Sequence, residues 1–201
     1  MSATRLLVLR HGESEWNALR RWQGRQDPPL SQRGRRQAVA TADLLGQFDA
    51  VWSSSLQRAS DTAVIIAELL GIGPVLADDR LQERGYGSWE GLTAAEIEQG
   101  WPGHLAAGHR PDDAEPAGEL LARVSSCFTD IRAAHPGGEV LVISHAGLLR
   151  TVREHLGHAP QRIDNLDGAC FVARPDGSLD GGNVVLVGSQ ADVGHDPSET
   201  M

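Results

Sequence analysis

Residues 5–17 read Arg-Leu-Leu-Val-Leu-Arg-His-Gly-Glu-Ser-Glu-Trp-Asn. The run Leu6 to Leu9 is short, apolar and free of polar alternation, the pattern of a strand buried on both faces. It stops at Arg10-His11-Gly12, where a glycine lets the backbone turn tightly. In open α/β sheets, ligands bind at the carboxyl ends of such strands. A second buried run, Gly138 to Ile143, ends the same way, in Ser144-His145.

Helices are expected between and around these strands. Ser31 caps one that carries Ala38, Ala42 and Leu45 on one face and closes near Gly46. Leu56 to Leu70 forms another, ended by Gly71. Thr93 caps a short helix to Glu98, Glu119 to Ala134 is amphipathic, and Leu148 to Leu156 stops at Gly157. Further strands are expected at Asp49 to Trp52, at Val75-Leu76, at Ala169 to Ala173 and at Val184 to Val187, with a turn at Pro175-Asp176-Gly177. Asp78 to Leu92 is irregular, and 100–118 is a surface excursion. The alternation of strands and helices gives an α/β class with a mostly parallel central sheet covered on both faces. No linker divides the chain, so 1–190 is expected as one domain. From Ser189 onward the chain reads as a polar, frayed end, with 191–201 as the tail.

Composition narrows the function. The 201 residues carry a net charge of −9, which argues against nucleic acid as a partner. All 18 basic residues are arginine, so any anion site uses planar guanidinium groups and lysine Schiff-base chemistry is excluded. No apolar run approaches the ~18 residues of a membrane span and no signal pattern precedes the first strand, so a cytoplasmic location is expected. Cys127 and Cys170 read as reduced core residues. His155 and His158 have no cysteine or carboxylate at ligand spacing, so neither a metal nor another cofactor is expected.

Two histidines, His11 and His145, and two arginines, Arg10 and Arg58, converge on the strand ends. Arg58 also opens a helix, whose free N–H groups attract anions. Such a cluster suits a phosphate dianion. A neutral imidazole can attack phosphorus, arginines can stabilise the equatorial oxygens, and Glu83 in its glycine-flanked segment can protonate the leaving group. Arg20, Arg21 and Arg25 read as a solvated loop rather than as substrate contacts, although that loop follows the site directly and could face it, and Arg33, Arg35 and Arg36 read as an exposed helix face; the pocket walls are expected from loops 20–29 and 100–118. Trp16, Trp22, Trp89 and Trp101 read as packing, with one or two available to wall a pocket.

Four blocks, in order, are similar to those of the histidine phosphatase superfamily, the phosphoglycerate mutase-like family. They are Leu-Arg-His-Gly-Glu-Ser-Glu-Trp-Asn (9–17), Ser-Ser-Ser-Leu-Gln-Arg-Ala-Ser-Asp-Thr-Ala (53–63), Leu-Gln-Glu-Arg-Gly-Tyr-Gly-Ser-Trp-Glu-Gly (81–91) and Ser-His-Ala-Gly (144–147). The resemblance implies a three-layer α/β/α sandwich and a phosphohistidine on His11. Arg10, Arg58 and His145 would hold the phosphoryl group, and Glu83 would act as acid and then base. Asn17, Ser14, Gly24, Arg84, Tyr86 and Ala146 would contact substrate; the position of Ala146 is commonly glycine in the family. The implied activity is metal-independent hydrolysis of a small phosphomonoester, and a homodimer is compatible with it. Glu-Arg-x-Tyr-Gly at 83–87 also resembles the mutase form of that block. Gly91-Leu92-Thr93-Ala94 and the short span before His145 depart from the mutases, so the phosphatase branch leads and the mutase is the alternative. A phosphate-binding module without catalysis is the reading from another class.

Overall fold

The computed structural model describes residues 2–193. In chain order the elements are β1 (Thr4–Arg10), α1 (Glu15–Ala18), α2 (Gln32–Ala42), β2 (Ala50–Ser54), α3 (Gln57–Leu70), β3 (Leu76–Asp78), α4 (Ala94–Gly100), α5 (Ala117–Ala134), β4 (Glu139–Ser144), α6 (Ala146–His155), β5 (Gly168–Ala173), β6 (Leu179–Val185) and α7 (Gly188–Val193). The strands form one six-stranded sheet in the order β3-β2-β4-β1-β5-β6. β1 to β4 run parallel, and β5 and β6 complete one side as an antiparallel pair.

Side chains alternate across β1, as strand geometry requires. Leu6 and Val8 pack with Leu120, Val124 and Phe128 of α5 and Leu149 and Val152 of α6. Leu7 and Leu9 face the opposite layer, with Ala38 of α2 and Ala59, Ala63 and Ile66 of α3. Both faces of the sheet are therefore covered, and the expected three-layer sandwich is the observed one. A smaller cluster of Tyr86, Trp89 and Ile97, flanked by Trp22 and Trp101, lies outside these two cores.

Register places the functional residues. Arg10 pairs with Ser144 in the parallel β1/β4 ladder, and the His11 N–H donates to the Ser144 carbonyl at 2.9 Å. His11 and His145 thus leave the sheet side by side. β2 ends next to β4, with Ser53 opposite Ile143, so Ser54 arrives beside His145.

Several expectations need correction. The helix capped by Ser31 stops at Ala42, before Leu45 and Gly46. The last strand is Leu179–Val185 rather than Val184 to Val187. It runs through Gly181 and Gly182 at φ +97° and +95°, at a bulge opposite Cys170/Phe171; a glycine pair carries no strand signal, yet a Cβ at Gly181 would approach the Cys170 carbonyl oxygen to 2.4 Å. Ser189 does not begin a frayed end: α7 is formed, and Asp167 accepts hydrogen bonds from the Ser189 N–H and hydroxyl. The rest of the expected tail, 194–201, lies outside the described residues. Cys127 is buried as expected, but Cys170 is exposed; both are free thiols.

α2 lies directly against the turn that follows His11. A Cβ on Gly34 would stand 2.0 Å from the Glu13 carbonyl oxygen, and one on Gly12 would stand 2.6 Å from that of Gly34. Both obstacles are backbone, so they cannot rotate away. Gly34→Ala improves helix propensity by about 1 kcal/mol, yet overpacking costs about 1–3 kcal/mol. The expected outcome is a net loss of stability in chemical denaturation together with lower turnover; a variant as stable and active as the parent would contradict this packing.

Candidate active site

A cavity of about 270 Å³ opens at the carboxyl ends of β1 and β4. Its wall includes Arg10, His11, Asn17, Gly24, Arg58, Glu83, Tyr86 and Ala146, all expected site residues. His145 lies beside His11, fully buried, with ring centroids 5.1 Å apart.

The hydrogen bonds fix the His11 tautomer. Nδ1 lies 2.6 Å from the Gly12 carbonyl oxygen, which can only accept, so Nδ1 carries the proton. Nε2 keeps its lone pair, toward which the Arg58 Nε–H is directed at 3.3 Å. Burial holds the His11 pKa well below the usual histidine value. The Arg58 and Arg10 charges push it the same way, and the bond to Gly12 opposes them. His145 is likewise held well below, first by burial and then by Arg58, His11 and Arg10. Its Nε2 meets Ser54 Oγ at 2.8 Å, while Nδ1 is buried without a hydrogen-bond partner.

Arg58 sits in the first turn of α3, fully buried. Besides His11, it donates to the carbonyls of Gln26 at 2.6 Å and Gly24 at 2.8 Å, which stitches the loop after α1 to the site. Burial lowers its pKa to about 10, so it stays charged at neutral pH. Arg10 donates to the Ile163 carbonyl at 3.0 Å, and its Nε is buried without a partner.

Glu83 is also buried. One oxygen accepts from the N–H groups of Arg84 at 2.8 Å and Leu148 at 3.1 Å, and the other from Gly147 at 3.0 Å. The carboxyl group is therefore held on the first turn of α6 by that helix's N–H groups. Gly147 has no room for a side chain: a Cβ would meet the Tyr86 hydroxyl at 2.4 Å and Glu83 Oε1 at 2.5 Å. Asn17 Oδ1 accepts from the Ser14 N–H at 3.2 Å, which leaves its amino group to offer a ligand.

Two expected substrate contacts do not reach the cavity. The Ser14 hydroxyl is fully buried: it caps α1 by accepting from the Asn17 N–H and donates to Gln23 Oε1 at 2.8 Å. Arg84 donates through Nε to the Glu115 carbonyl at 2.8 Å, so it ties down the loop 101–116. Conversely, Arg20 and Arg21, expected as a solvated loop, line the cavity with Trp22, while Arg25 pairs with Glu115 at 2.9 Å. His158, weighed as a metal ligand, meets the Gly181 carbonyl at 2.6 Å.

Sequence reasoning also missed what holds Glu83 in place. Arg123 of α5 donates to the carbonyls of Arg80, Gln82 and Glu83 and forms a two-pronged pair with Glu115, 2.7 and 2.9 Å. Burial works to raise the Glu115 carboxyl, but Arg123, the Gly85 N–H and Arg25 outweigh it and hold it below its ordinary value. The arginine-to-carboxylate spacing of eight residues matches no helical pair, so no local pattern flags it.

The sequence pattern described as "Histidine phosphatase superfamily (branch 1)" matches residues 6–169. The chain belongs to the histidine phosphatase superfamily. Its relatives place it among the phosphatases of that superfamily, the phosphoric monoester hydrolases. It is 37% identical over 175 residues to a glucosyl-3-phosphoglycerate phosphatase of Mycobacterium tuberculosis, covering 80% of this chain and 78% of the relative. It is 35% identical over 156 residues to phosphoserine phosphatase 1 of Hydrogenobacter thermophilus, covering 74% of each. The solved structure of a mycobacterial glucosyl-3-phosphoglycerate phosphatase in complex with VO3 matches with a TM-score of 0.79 and 31% identity, over 88% of this chain and 96% of that one.

In this histidine phosphatase the two buried neutral imidazoles make stability depend on pH. Both folded-state pKa values lie below the unfolded value of 6.5. Above 6.5 neither state binds the protons; as pH falls below it, the unfolded chain takes them up and the folded one does not. Stability is therefore lost with falling pH, at up to about 1.4 kcal/mol per pH unit for each histidine. In urea unfolding, His145→Gln should lose about 1.4 kcal/mol less stability than the parent between pH 7.5 and 5.5, an average of about 0.7 kcal/mol per pH unit because the unfolded imidazole is only part-protonated over that span. Identical slopes in variant and parent would show that His145 is not held neutral.

Proposed function

We propose that this protein is a metal-independent phosphomonoesterase that works through a phosphohistidine on His11 Nε2. The observation that carries the reading is the His11 tautomer: Nδ1–H is fixed on the Gly12 carbonyl, and Nε2 is left unprotonated, its lone pair met only by the Arg58 Nε–H, in a residue that lines the cavity with Arg10 and Arg58. In the first step Nε2 attacks phosphorus and the ester P–O bond breaks. Arg10, Arg58 and the unpartnered Nδ1 of His145 hold the phosphoryl oxygens, and Glu83 gives its proton to the leaving alkoxide. In the second step the Glu83 carboxylate takes a proton from water, the water oxygen attacks phosphorus, and the P–N bond breaks. Inorganic phosphate leaves, and His11 and Glu83 are restored.

A cavity of about 270 Å³ suits a small phosphorylated metabolite. Relatives named for glucosyl-3-phosphoglycerate and for phosphoserine support that class. The two free thiols fit a reducing, cytoplasmic setting.

The test is turnover of a phosphomonoester panel, with inorganic phosphate and 2-phosphoglycerate both followed. Phosphate release that survives chelators supports the reading. Conversion of 3-phosphoglycerate to 2-phosphoglycerate with little phosphate release would replace it with the mutase. Binding without turnover would replace it with a phosphate-binding module.

A further inference from the structure

The excursion 101–116 ends in a residue that three distant stretches of chain share. Glu115 has a side chain only 7% exposed, and both of its oxygens are fully engaged. Oε1 accepts from Arg25 Nη2 at 2.9 Å and Arg123 Nε at 2.7 Å. Oε2 accepts from Arg123 Nη2 at 2.9 Å and the Gly85 N–H at 3.2 Å. The Glu115 backbone is engaged as well: its N–H donates to the Gly85 carbonyl at 2.9 Å, and its carbonyl accepts from Arg84 Nε at 2.8 Å. The loop at Arg25, the segment just after Glu83 and helix α5 therefore meet at one carboxylate.

The meeting point bears on Glu83 because that residue has no regular element to hold it: 82–86 belongs to no helix or strand. Arg123 fixes the chain up to and including Glu83, through the carbonyls of Arg80, Gln82 and Glu83. Glu115 fixes the two residues that follow, Arg84 and Gly85. The two holds depend on each other, since the two-pronged pair with Glu115 aims the Arg123 guanidinium. A largely buried guanidinium that loses its carboxylate is left uncompensated, and when it turns away the Glu83 carbonyl loses its donor. Proton donation needs the acid within hydrogen-bond reach of the departing oxygen, and a misplacement of about 1 Å costs up to about 10²-fold.

We infer that Glu115 is a positioning residue for the proton donor: together with Arg123 it sets the backbone on both sides of Glu83, so that the Glu83 carboxyl reaches the leaving group. Glu115 itself touches no reacting atom. This inference rests on the phosphatase reading and adds the device that places its acid.

Phenyl phosphate and p-nitrophenyl phosphate form a matched pair of probes. They are similar in size, but phenolate is the poorer leaving group and depends more on a donated proton. For each substrate kcat/KM reports the steps up to cleavage of the P–O bond, so the later role of Glu83 as base does not enter. Glu115→Gln should lower kcat/KM about tenfold or more for phenyl phosphate and about threefold or less for p-nitrophenyl phosphate. Partial unfolding lowers both values alike, so the ratio between the substrates does not depend on how much of the protein is active. Glu83→Gln should shift that ratio in the same direction and further. A parental ratio in Glu115→Gln, beside a shifted one in Glu83→Gln, would overturn the inference while the phosphatase reading stands. A parental ratio in Glu83→Gln would instead overturn Glu83 as the proton donor, and the inference with it.

Discussion

Replacing His11 with alanine should lower kcat/KM for p-nitrophenyl phosphate by about 10⁴-fold or more, to background, while the protein stays folded. The loss follows from the role of Nε2: without it no P–N bond forms, and a water would have to attack an ester whose surroundings are built for an imidazole. Folding survives because the bond that positions the residue, His11 N–H to the Ser144 carbonyl, belongs to the backbone. The side chain's own contribution is its bond to the Gly12 carbonyl, the bond it accepts from Arg58 Nε–H, and its burial, so a stability change of about 1–2 kcal/mol is expected. Retained phosphate release in a folded His11→Ala protein would show that the nucleophile is another group.

Arg58→Met should be nearly as damaging, and it carries a signature that loss of a nucleophile lacks. Removing a preorganised donor from a buried phosphoryl site costs about 10²–10³ in kcat. The buried Gly24 carbonyl also loses its donor, at about 1–3 kcal/mol if left unsatisfied, while the Gln26 carbonyl, on an exposed residue, can turn to water. The pH profile supplies the signature. The Arg58 charge is the largest influence after burial that lowers the His11 pKa. Without it, protonated His11 persists to higher pH, and the acid limb of kcat/KM moves upward toward 6.5. An unchanged acid limb would mean that Arg58 does not act on His11.

The parts of the site that were legible in the sequence are those whose signal is local. Buried parallel strands announce themselves as unbroken apolar runs, so His11 and His145 could be placed at strand ends before any pairing was known. Arg58 followed from a strand, a turn and a helix start within eight residues. The missed parts depend on partners far away in the chain. Ser14 is exhausted by a capping box and by Gln23, a reading that needs the helix α1, only four residues long. Arg84 turns to the Glu115 backbone 31 positions on, and Arg123 reaches back 40 positions to the Glu83 carbonyl. That loop 20–29 walls the cavity was expected from its place just after the site, but that Arg20 and Arg21 line it depends on the Arg58 bonds to Gly24 and Gln26, which no local pattern shows. β6 was misplaced because Gly181-Gly182 meet the bulge through backbone freedom, which leaves no side-chain pattern to read.

The phosphohistidine is tested most directly in Glu83→Gln with p-nitrophenyl phosphate. The glutamine keeps an oxygen for one of the α6 N–H groups, and p-nitrophenolate departs without the proton that Glu83 would supply. Phosphoryl transfer to the enzyme should then proceed while its hydrolysis stalls for want of a base. The account predicts a burst of about one p-nitrophenolate per active site, with phosphate on His11 Nε2 in a linkage that base preserves and acid breaks. Slow linear release with no phosphorylated His11, or phosphate found on another residue, would contradict it.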